Sequence, residues 1–141
     1  MRVKVITISE VEFTAFTLTQ ELMTWDEPIP DFGTRFPNVL ESCLDMPFTR
    51  FSRKDMYRGL VGKSSILFYL MIKNHPFQNG NKRIAVMTLL VFLANNDKWL
   101  KMKPDNLYNF AVGVAKSKAS SREKVLQNIY NTIRKYIVNL H

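Results

Sequence analysis

Two apolar stretches dominate the middle of the chain, and a short polar segment separates them. Residues 58–74 are apolar on nearly all sides in their second half, and Thr88 is the one polar residue of 81–95 between its basic start and its final asparagine. A helix that is apolar all round lies buried in a protein. The pattern therefore predicts two central helices, joined by a short loop, as the core of an all-α domain.

The first third of the chain carries a helix-start signal and a proline-rich stretch. Ser9 and Glu12 have the spacing of a capping box, and the apolar residues that follow predict a helix to about Thr24. Residues 2–8 are predicted to form a short strand. Residues 25–37 contain three prolines and one glycine, which predicts an ordered loop of extended segments.

The remaining elements follow from the same signals. They are a short helix from Pro37 to about Leu44, a hairpin or flap over 46–57, a turn with a brief extended segment at 97–102, a helix opened by Pro104 and ending near Ser117, and a last helix from the capping box of Ser120 and Glu123 to about Asn139. The whole chain, 1–141, is expected to form a single all-α domain with at most a short β flap.

Charge is distributed unevenly along the chain. Residues 1–50 carry 4 Lys/Arg and 8 Asp/Glu, and residues 51–141 carry 16 and 4, so net charges of −4 and +12 sum to +8. The basic part should attract anions, but nucleic acid, nucleotide phosphates and an acidic protein fit that field equally. The basic residues of the last helix (Arg122, Lys124, Arg134 and Lys135) fit an RNA-binding face or an ordinary solvated surface.

Cysteine count and hydropathy exclude several classes of protein. Cys43 is the only cysteine, which excludes an intramolecular disulfide and a cysteine-based zinc site. The most apolar run, 84–94, is shorter than the roughly 20 residues that span a bilayer. The N-terminal segment lacks the apolar stretch of a secretory signal. We therefore expect a soluble cytoplasmic protein that has no membrane partner.

The segment between the central helices, NHPFQNGNKRIA (74–85), concentrates chemistry-bearing residues inside the core. His75 precedes proline, which disfavours helical backbone and predicts that the first helix ends there. Gly80 can adopt the positive φ of a tight reversal, and Asn81 is a preferred N-cap for the second helix. The loop is therefore expected to hold His75 between two buried helices.

Lys82 and Arg83 fall in the first turn of the second helix, where positive charge opposes the helix dipole. Such a conflict is expected at a functional site, and a bound polyanion would resolve it. Backbone N–H groups and both cations would then converge on phosphates. Because histidine exchanges protons readily near neutral pH, His75 beside such a site predicts group transfer to a hydroxyl.

The nine residues HPFQNGNKR closely resemble the signature loop of the Fic/Doc family. The Fic branch of that family reads HPFx[D/E]GNGR, and the Doc branch, the death-on-curing toxin type, ends in NKR. The resemblance extends over about 35–118, through the LLVFLANN helix and the LYNFAVGVAKS segment. It implies a compact Fic/Doc-type helical bundle whose two buried central helices are joined by the signature loop.

The resemblance also implies a role for each loop residue. His75 would be the general base that deprotonates a Ser, Thr or Tyr hydroxyl of a target protein, and Phe77 would anchor the loop. Gly80 and Asn81 match the residues that form an anion hole for nucleotide phosphates, and Arg83 matches an arginine that binds them too.

Two positions set this loop apart from the Fic pattern. Lys82 replaces the glycine of enzymes that transfer AMP, which implies a Doc-like placement of ATP with its γ-phosphate ready for transfer. Asn79 replaces the Asp or Glu that binds the Mg²⁺ bridging the phosphates. Because Mg²⁺ prefers carboxylates together with phosphate oxygens, its affinity should fall, and activity should be reduced, altered or lost.

The family's flap aligns a target segment by strand addition, and it would correspond here to 46–57. Its target-binding residues would be Arg50, Phe51, Arg53 and Lys54. In Doc systems the toxin is inhibited by a separate antitoxin protein. The resemblance therefore implies that this protein has such a partner.

Three functions remain open at this point. The first is a Doc-like toxin that transfers a phosphoryl group from ATP, with Mg²⁺, to a target protein such as elongation factor Tu. The second is AMP transfer of the Fic type. The third is a catalytically silent module that keeps the fold to bind a partner, as Asn79 would suggest, with nucleic acid the less favoured ligand.

Overall fold

The computed structural model describes residues 2–141 as six helices and two short antiparallel strand pairs. The helices are α1 (Ile8–Glu10, Val11–Phe16 and Thr17–Leu22 in succession), α2 (Pro37–Asp45), α3 (Gly59–Lys73), α4 (Asn81–Asn95), α5 (Pro104–Lys116) and α6 (Arg122–Tyr136). The strands are β1 (Arg50–Phe51), β2 (Lys54–Asp55), β3 (Lys98–Leu100) and β4 (Ile137–Asn139). The predicted all-α class is confirmed.

The two predicted central helices form the core. Helices α3 and α4 pack against each other, with α6 and α5 on α3 and with α1 and α5 on α4. Ile66–Ile72 of α3 are buried without interruption, and so are Arg83–Leu90 of α4. The predicted bounds of these two helices, 58–74 and 81–95, are confirmed to within one residue.

Helix α1 begins two residues before the predicted position. Its capping box is formed by Thr7 and Glu10: the Glu10 N–H donates to Thr7 Oγ1 at 3.1 Å, and the Thr7 N–H donates to Glu10 Oε1 at 3.0 Å. The prediction of Ser9 and Glu12 is wrong because burial selects the register. Ile6 and Val11, at the positions that form a hydrophobic staple, are both buried.

The predicted strand at residues 2–8 is also wrong. The side-chain amide of Asn96 takes the place of a strand partner for this segment. The Lys4 N–H donates to Asn96 Oδ1 at 2.7 Å, and Asn96 Nδ2 donates to the Lys4 carbonyl at 3.1 Å. One carboxamide satisfies both backbone groups of Lys4, so the segment stays extended without joining a sheet.

The last helix ends three residues earlier than predicted, and Ser120 does not cap it. A 3₁₀ turn at Ala119–Ser121 leads into α6, and Ile137–Asn139 leave the helix as β4. β4 pairs with β3, with Leu100 opposite Ile137 and Trp99 opposite Val138. The extended segment predicted at 97–102 is confirmed. Without β4, the N–H and C=O groups of β3 would lack partners, which explains why the chain leaves the last helix as a strand.

Cys43 lies on α2 inside the core. Burial raises the pKa of its thiol to about 12, so the thiol stays neutral and is a poor nucleophile. Over residues 2–141, none of the helices combines the length and the apolar sequence that crossing a bilayer requires.

Within the predicted range 46–57, a 3₁₀ turn at Met46–Phe48 is followed by a hairpin over residues 50–55, and Lys63 fixes the base of that hairpin. β1 and β2 are joined by Ser52 and Arg53, whose φ angles of +51° and +66° are those of a type I′ turn. Lys63, only 3% exposed, donates to Asp55 Oδ2 at 3.0 Å and to the Tyr57 carbonyl at 2.5 Å. A buried ammonium on α3 therefore holds the exposed hairpin in place.

This anchor predicts a measurable acid dependence. The hydrogen bond from Lys63, then its charge, lower the pKa of Asp55 below the ordinary value of 3.8, with Arg50 adding to the effect. The contact therefore stabilises the hairpin at pH values above 3.8, and the stabilisation is lost as the pH falls through the lowered pKa. In a Lys63→Met variant, we expect the Asp55 carboxyl to titrate near its ordinary pKa, as followed by NMR.

The matched control is Lys54→Met, which removes one exposed positive charge from β2 itself. We expect this variant to leave the Asp55 titration close to that of the wild type. Equal shifts in the two variants would mean that net charge, rather than the buried contact, lowers the pKa.

Candidate active site

His75 occupies the position directly after the C-cap of α3. The helix ends at Lys73, Asn74 is the C-cap, and His75 has a φ of +50°. A left-handed backbone is uncommon for a residue with a side chain, although histidine tolerates it better than most. The predicted helix end at the His-Pro pair is thereby confirmed, and the imidazole is exposed.

The Asn81 side chain stabilises the loop through two hydrogen bonds with the backbone of Phe77. Its Oδ1 accepts from the Phe77 N–H at 2.9 Å, and its Nδ2 donates to the Phe77 carbonyl at 2.8 Å. The prediction that Asn81 is the N-cap is wrong: Gly80, with a φ of +78°, is the N-cap. The reason is that Phe77 is buried, so its backbone groups need the partner that Asn81 provides.

Phe77 itself is 3% exposed and lies among aromatic rings. Its ring centroid is 5.7 Å from that of Phe16 and 5.9 Å from that of Phe32. Rings at such separations interact favourably beyond the area that they bury. This packing agrees with the loop-anchor role that we predict for Phe77.

The Asn81 amide also faces the His75 ring. The two contacts with Phe77 fix the orientation of the Asn81 amide, and its Nδ2 then faces His75 Nδ1 at 3.4 Å. Because an amide nitrogen donates, Nδ1 is the accepting nitrogen and a neutral ring carries its proton on Nε2. The contact is long for a hydrogen bond, so the ring can leave it at little cost.

The start of α4 provides the donors for the predicted phosphate site. The first three N–H groups of the helix, at Asn81, Lys82 and Arg83, have no partner within the helix. The first turn contains no acidic residue, and Lys82 remains partly exposed there. The sequence predicts that these N–H groups and both cations converge on phosphates; of the two cations, Lys82 is the one whose side chain remains partly exposed.

The Arg83 guanidinium is engaged elsewhere. It is 2% exposed and donates to three backbone carbonyls of a preceding segment: Met23 at 3.0 Å, Trp25 at 2.8 Å and Glu27 at 2.6 Å. Phosphate binding by Arg83, which the resemblance implies, would require these contacts to be exchanged. In this conformation Arg83 fastens residues 23–27 to the start of α4.

Asn79 has a carboxylate as its neighbour. Its Oδ1 accepts from the Gly80 N–H at 2.8 Å, and its Nδ2 donates to Glu27 Oε2 at 3.1 Å. Within residues 2–141, no three His, Cys, Asp or Glu side chains converge on a metal site. Mg²⁺ commonly binds through one or two carboxylates together with substrate phosphates, so these residues fit a Mg²⁺ that arrives with a nucleotide.

Segment 23–36 covers the loop along much of its length. Besides the contacts of Arg83 and Asn79, the Phe36 N–H donates to the Pro76 carbonyl at 2.9 Å. The predicted loop of extended segments at 25–37 is interrupted by a 3₁₀ turn at Phe32–Thr34, and Pro37 already belongs to α2. No pattern in the sequence links this segment to the loop, so sequence reasoning missed Glu27 as a member of the site.

The four residues predicted to bind a target, Arg50, Phe51, Arg53 and Lys54, lie on the β1–β2 hairpin. The base of that hairpin is at the far end of the central helices, where Phe48 packs 6.2 Å from the Phe92 ring near the end of α4. Between Lys63 and Lys73, helix α3 rises about 15 Å. The hairpin is therefore anchored at the opposite end of α3 from His75, and Phe51 on it is 72% exposed.

Comparison with known proteins supports the interpretation of the loop. No curated protein and no solved structure matches this chain. The model of the Fic/DOC family matches residues 13–93, which include the whole loop between α3 and α4. The match begins and ends earlier than the 35–118 expected from the sequence. Because it covers more than half of the chain, the protein belongs to the Fic/DOC family, whose members are in general protein-modifying transferases.

Proposed function

We propose that this protein transfers the γ-phosphoryl group of ATP to a hydroxyl of a target protein. The observation that supports this most is the loop itself, in which the Asn81 amide binds the Phe77 backbone and faces His75 Nδ1 at 3.4 Å, so that the imidazole lies beside the N–H groups that begin α4. A proton acceptor and a phosphate cradle on one short, rigid segment are what phosphoryl transfer requires, because that reaction depends mainly on positioning and charge stabilisation.

The proposed reaction assigns a task to each part of the loop. An imidazole nitrogen of His75, freed from Asn81, takes the proton of a Ser, Thr or Tyr hydroxyl while the oxygen attacks the γ-phosphorus. The bond to the bridging oxygen breaks, and ADP leaves. The N–H groups of the first turn and Lys82 stabilise the negative charge on the phosphates. Mg²⁺ bound with the nucleotide would supply further charge neutralisation.

AMP transfer is the alternative within the same family. It would use the same base and the same cradle with the nucleotide bound in the opposite sense. Lys82, where AMP-transferring members have glycine, is the reason for preferring phosphoryl transfer. The proposed target is a cytoplasmic protein such as elongation factor Tu, and a separate antitoxin is the proposed inhibitor.

A silent binding module is a second candidate, and two observations favour it. Asn79 is neutral where the family usually has an acid, and the Arg83 guanidinium is saturated by backbone carbonyls. In that case the fold would serve to bind a partner through the surface around the loop, and no group would be transferred.

Labelled ATP distinguishes these functions. The purified protein is incubated with a bacterial extract, Mg²⁺ or Mn²⁺, and ATP labelled at either the α or the γ phosphate. We expect γ label on a discrete protein. Label from the α position would establish AMP transfer instead. No label with either metal, from folded protein free of antitoxin, would favour the silent module.

A further inference from the structure

We propose that Glu27 supplies the carboxylate ligand of the nucleotide-bound Mg²⁺, in place of the acid that residue 79 lacks. This inference rests on the proposed function, because the metal arrives with the nucleotide. It assigns a role in the site to a residue outside the signature loop, 52 positions away from Asn79 in sequence.

The first argument is position. Glu27 Oε2 lies 3.1 Å from Asn79 Nδ2, so the carboxylate is one hydrogen bond away from the side chain that would otherwise bind the metal. The Asn79 amide cannot turn freely, since its Oδ1 accepts from the Gly80 N–H at 2.8 Å. Asn79 thus presents its nitrogen to Glu27 and positions that carboxylate beside the start of α4.

The second argument is the rigidity of the segment that carries Glu27. Its carbonyl accepts from Arg83 Nη2 at 2.6 Å, and Arg83 also holds the carbonyls of Met23 and Trp25. Two residues later, Ile29 packs on Gly80 so closely that a Cβ added there would lie 3.0 Å from Ile29 Cγ1. The Arg83 hydrogen bonds to the backbone on one side and the packing of the Ile29 side chain on the other therefore hold Glu27 over the loop.

The third argument is the unused capacity of the carboxylate. The ion pairs among residues 2–141 are those of Asp55 with Arg50 and Lys63, so Glu27 has no cationic partner in the described chain. A carboxylate has about four lone-pair sites, and Asn79 uses one of them. Glu27 is also exposed. It can therefore bind a cation that comes in with phosphates.

Nucleotide binding with and without metal tests this assignment. The affinity of the intact chain for the ATP analogue AMP-PNP is measured by calorimetry in Mg²⁺ and in EDTA. For the wild type we expect tighter binding in Mg²⁺. We call the ratio of the affinity in Mg²⁺ to the affinity in EDTA the gain from Mg²⁺. For Glu27→Gln we expect this gain to shrink by roughly tenfold or more. In EDTA the variant should bind the analogue at least as well as wild type, because a negative charge near the phosphates is gone.

Two further variants provide the controls. Glu21→Gln removes one exposed carboxylate from α1 and should leave the gain from Mg²⁺ unchanged. The double variant Glu27→Gln/Asn79→Asp places a carboxylate directly in the loop and should restore the gain. This rescue would not follow if Glu27 merely stabilised the fold.

The outcomes separate the two proposals. An unchanged gain from Mg²⁺ in Glu27→Gln overturns the assignment and leaves the transferase intact. Tighter binding of the variant in both Mg²⁺ and EDTA also overturns it, because Glu27 would then obstruct the site. If the wild type binds no AMP-PNP in either buffer, the proposed function fails, and the role of Glu27 fails with it.

Discussion

The His75→Ala variant is expected to lose group transfer by roughly 100- to 10,000-fold, the usual contribution of a positioned general base. The imidazole is exposed and has one side-chain contact in the described chain, the 3.4 Å approach to Asn81. Its removal should therefore affect the chemistry far more than the fold. The measurement is the initial rate of label transfer from ATP to the target, with AMP-PNP binding measured in parallel.

The left-handed backbone at His75 calls for a second variant. Alanine is disfavoured at a φ of +50°, so part of the effect of His75→Ala could come from a displaced loop. Asparagine tolerates this conformation, and His75→Asn should be as inactive as alanine while keeping nucleotide affinity. Gln78→Ala, an exposed neighbour in the same loop, should retain activity. A His75→Asn protein with near wild-type rate would remove His75 from the mechanism.

For stability, the largest effect is expected from Arg83→Ala, with a loss of about 3 kcal/mol in the free energy of unfolding. The guanidinium is buried and makes three hydrogen bonds to carbonyls, which contribute about 1.5–3 kcal/mol each, and the cost of burying its charge offsets part of that sum. The truncation leaves those carbonyls without their donor. Denaturant unfolding followed by circular dichroism measures the change.

Lys82→Ala is the matched control because it removes the neighbouring, partly exposed cation. Its effect on the free energy of unfolding should stay within about 0.5 kcal/mol. Arg83→Lys should recover only part of the loss, since one ammonium cannot reproduce the planar fork that reaches three acceptors. A small effect of Arg83→Ala would indicate that Arg83 is free to serve phosphates, as the sequence resemblance implies.

Periodicity and proline positions predict most of the helices, whereas the N-caps predicted at Ser9, Asn81 and Ser120 are wrong. Burial on all sides identifies α3 and α4, and the His-Pro pair fixes where α3 ends. The failures are non-local. The choice between Ser9 and Thr7 as the N-cap depends on which register buries Ile6, and the fate of residues 137–139 depends on β3, about 40 positions earlier.

In the candidate site, too, local features can be predicted from the sequence and contacts between distant residues cannot. The loop residues can be identified from the sequence because they are contiguous and because Lys82 and Arg83 place positive charge at a helix start, against the helix dipole. Glu27 cannot be found that way, since it is one exposed acid among several and gains its meaning only from contact with Asn79. For Arg83 the sequence predicts a contact that the structure does not show. Its position in the motif predicts a cation free to bind phosphate, but its guanidinium is buried and donates to backbone carbonyls.

The contacts of Arg83 also bear on how the protein folds. They join residues 56–60 positions apart, whereas the helices on either side of the loop form from local contacts. Non-local contacts require closure of a long stretch of chain, which is slow compared with helix formation. The helical core can thus assemble before the segment bearing Glu27 docks, so a nascent chain would have its helices before its candidate site is complete.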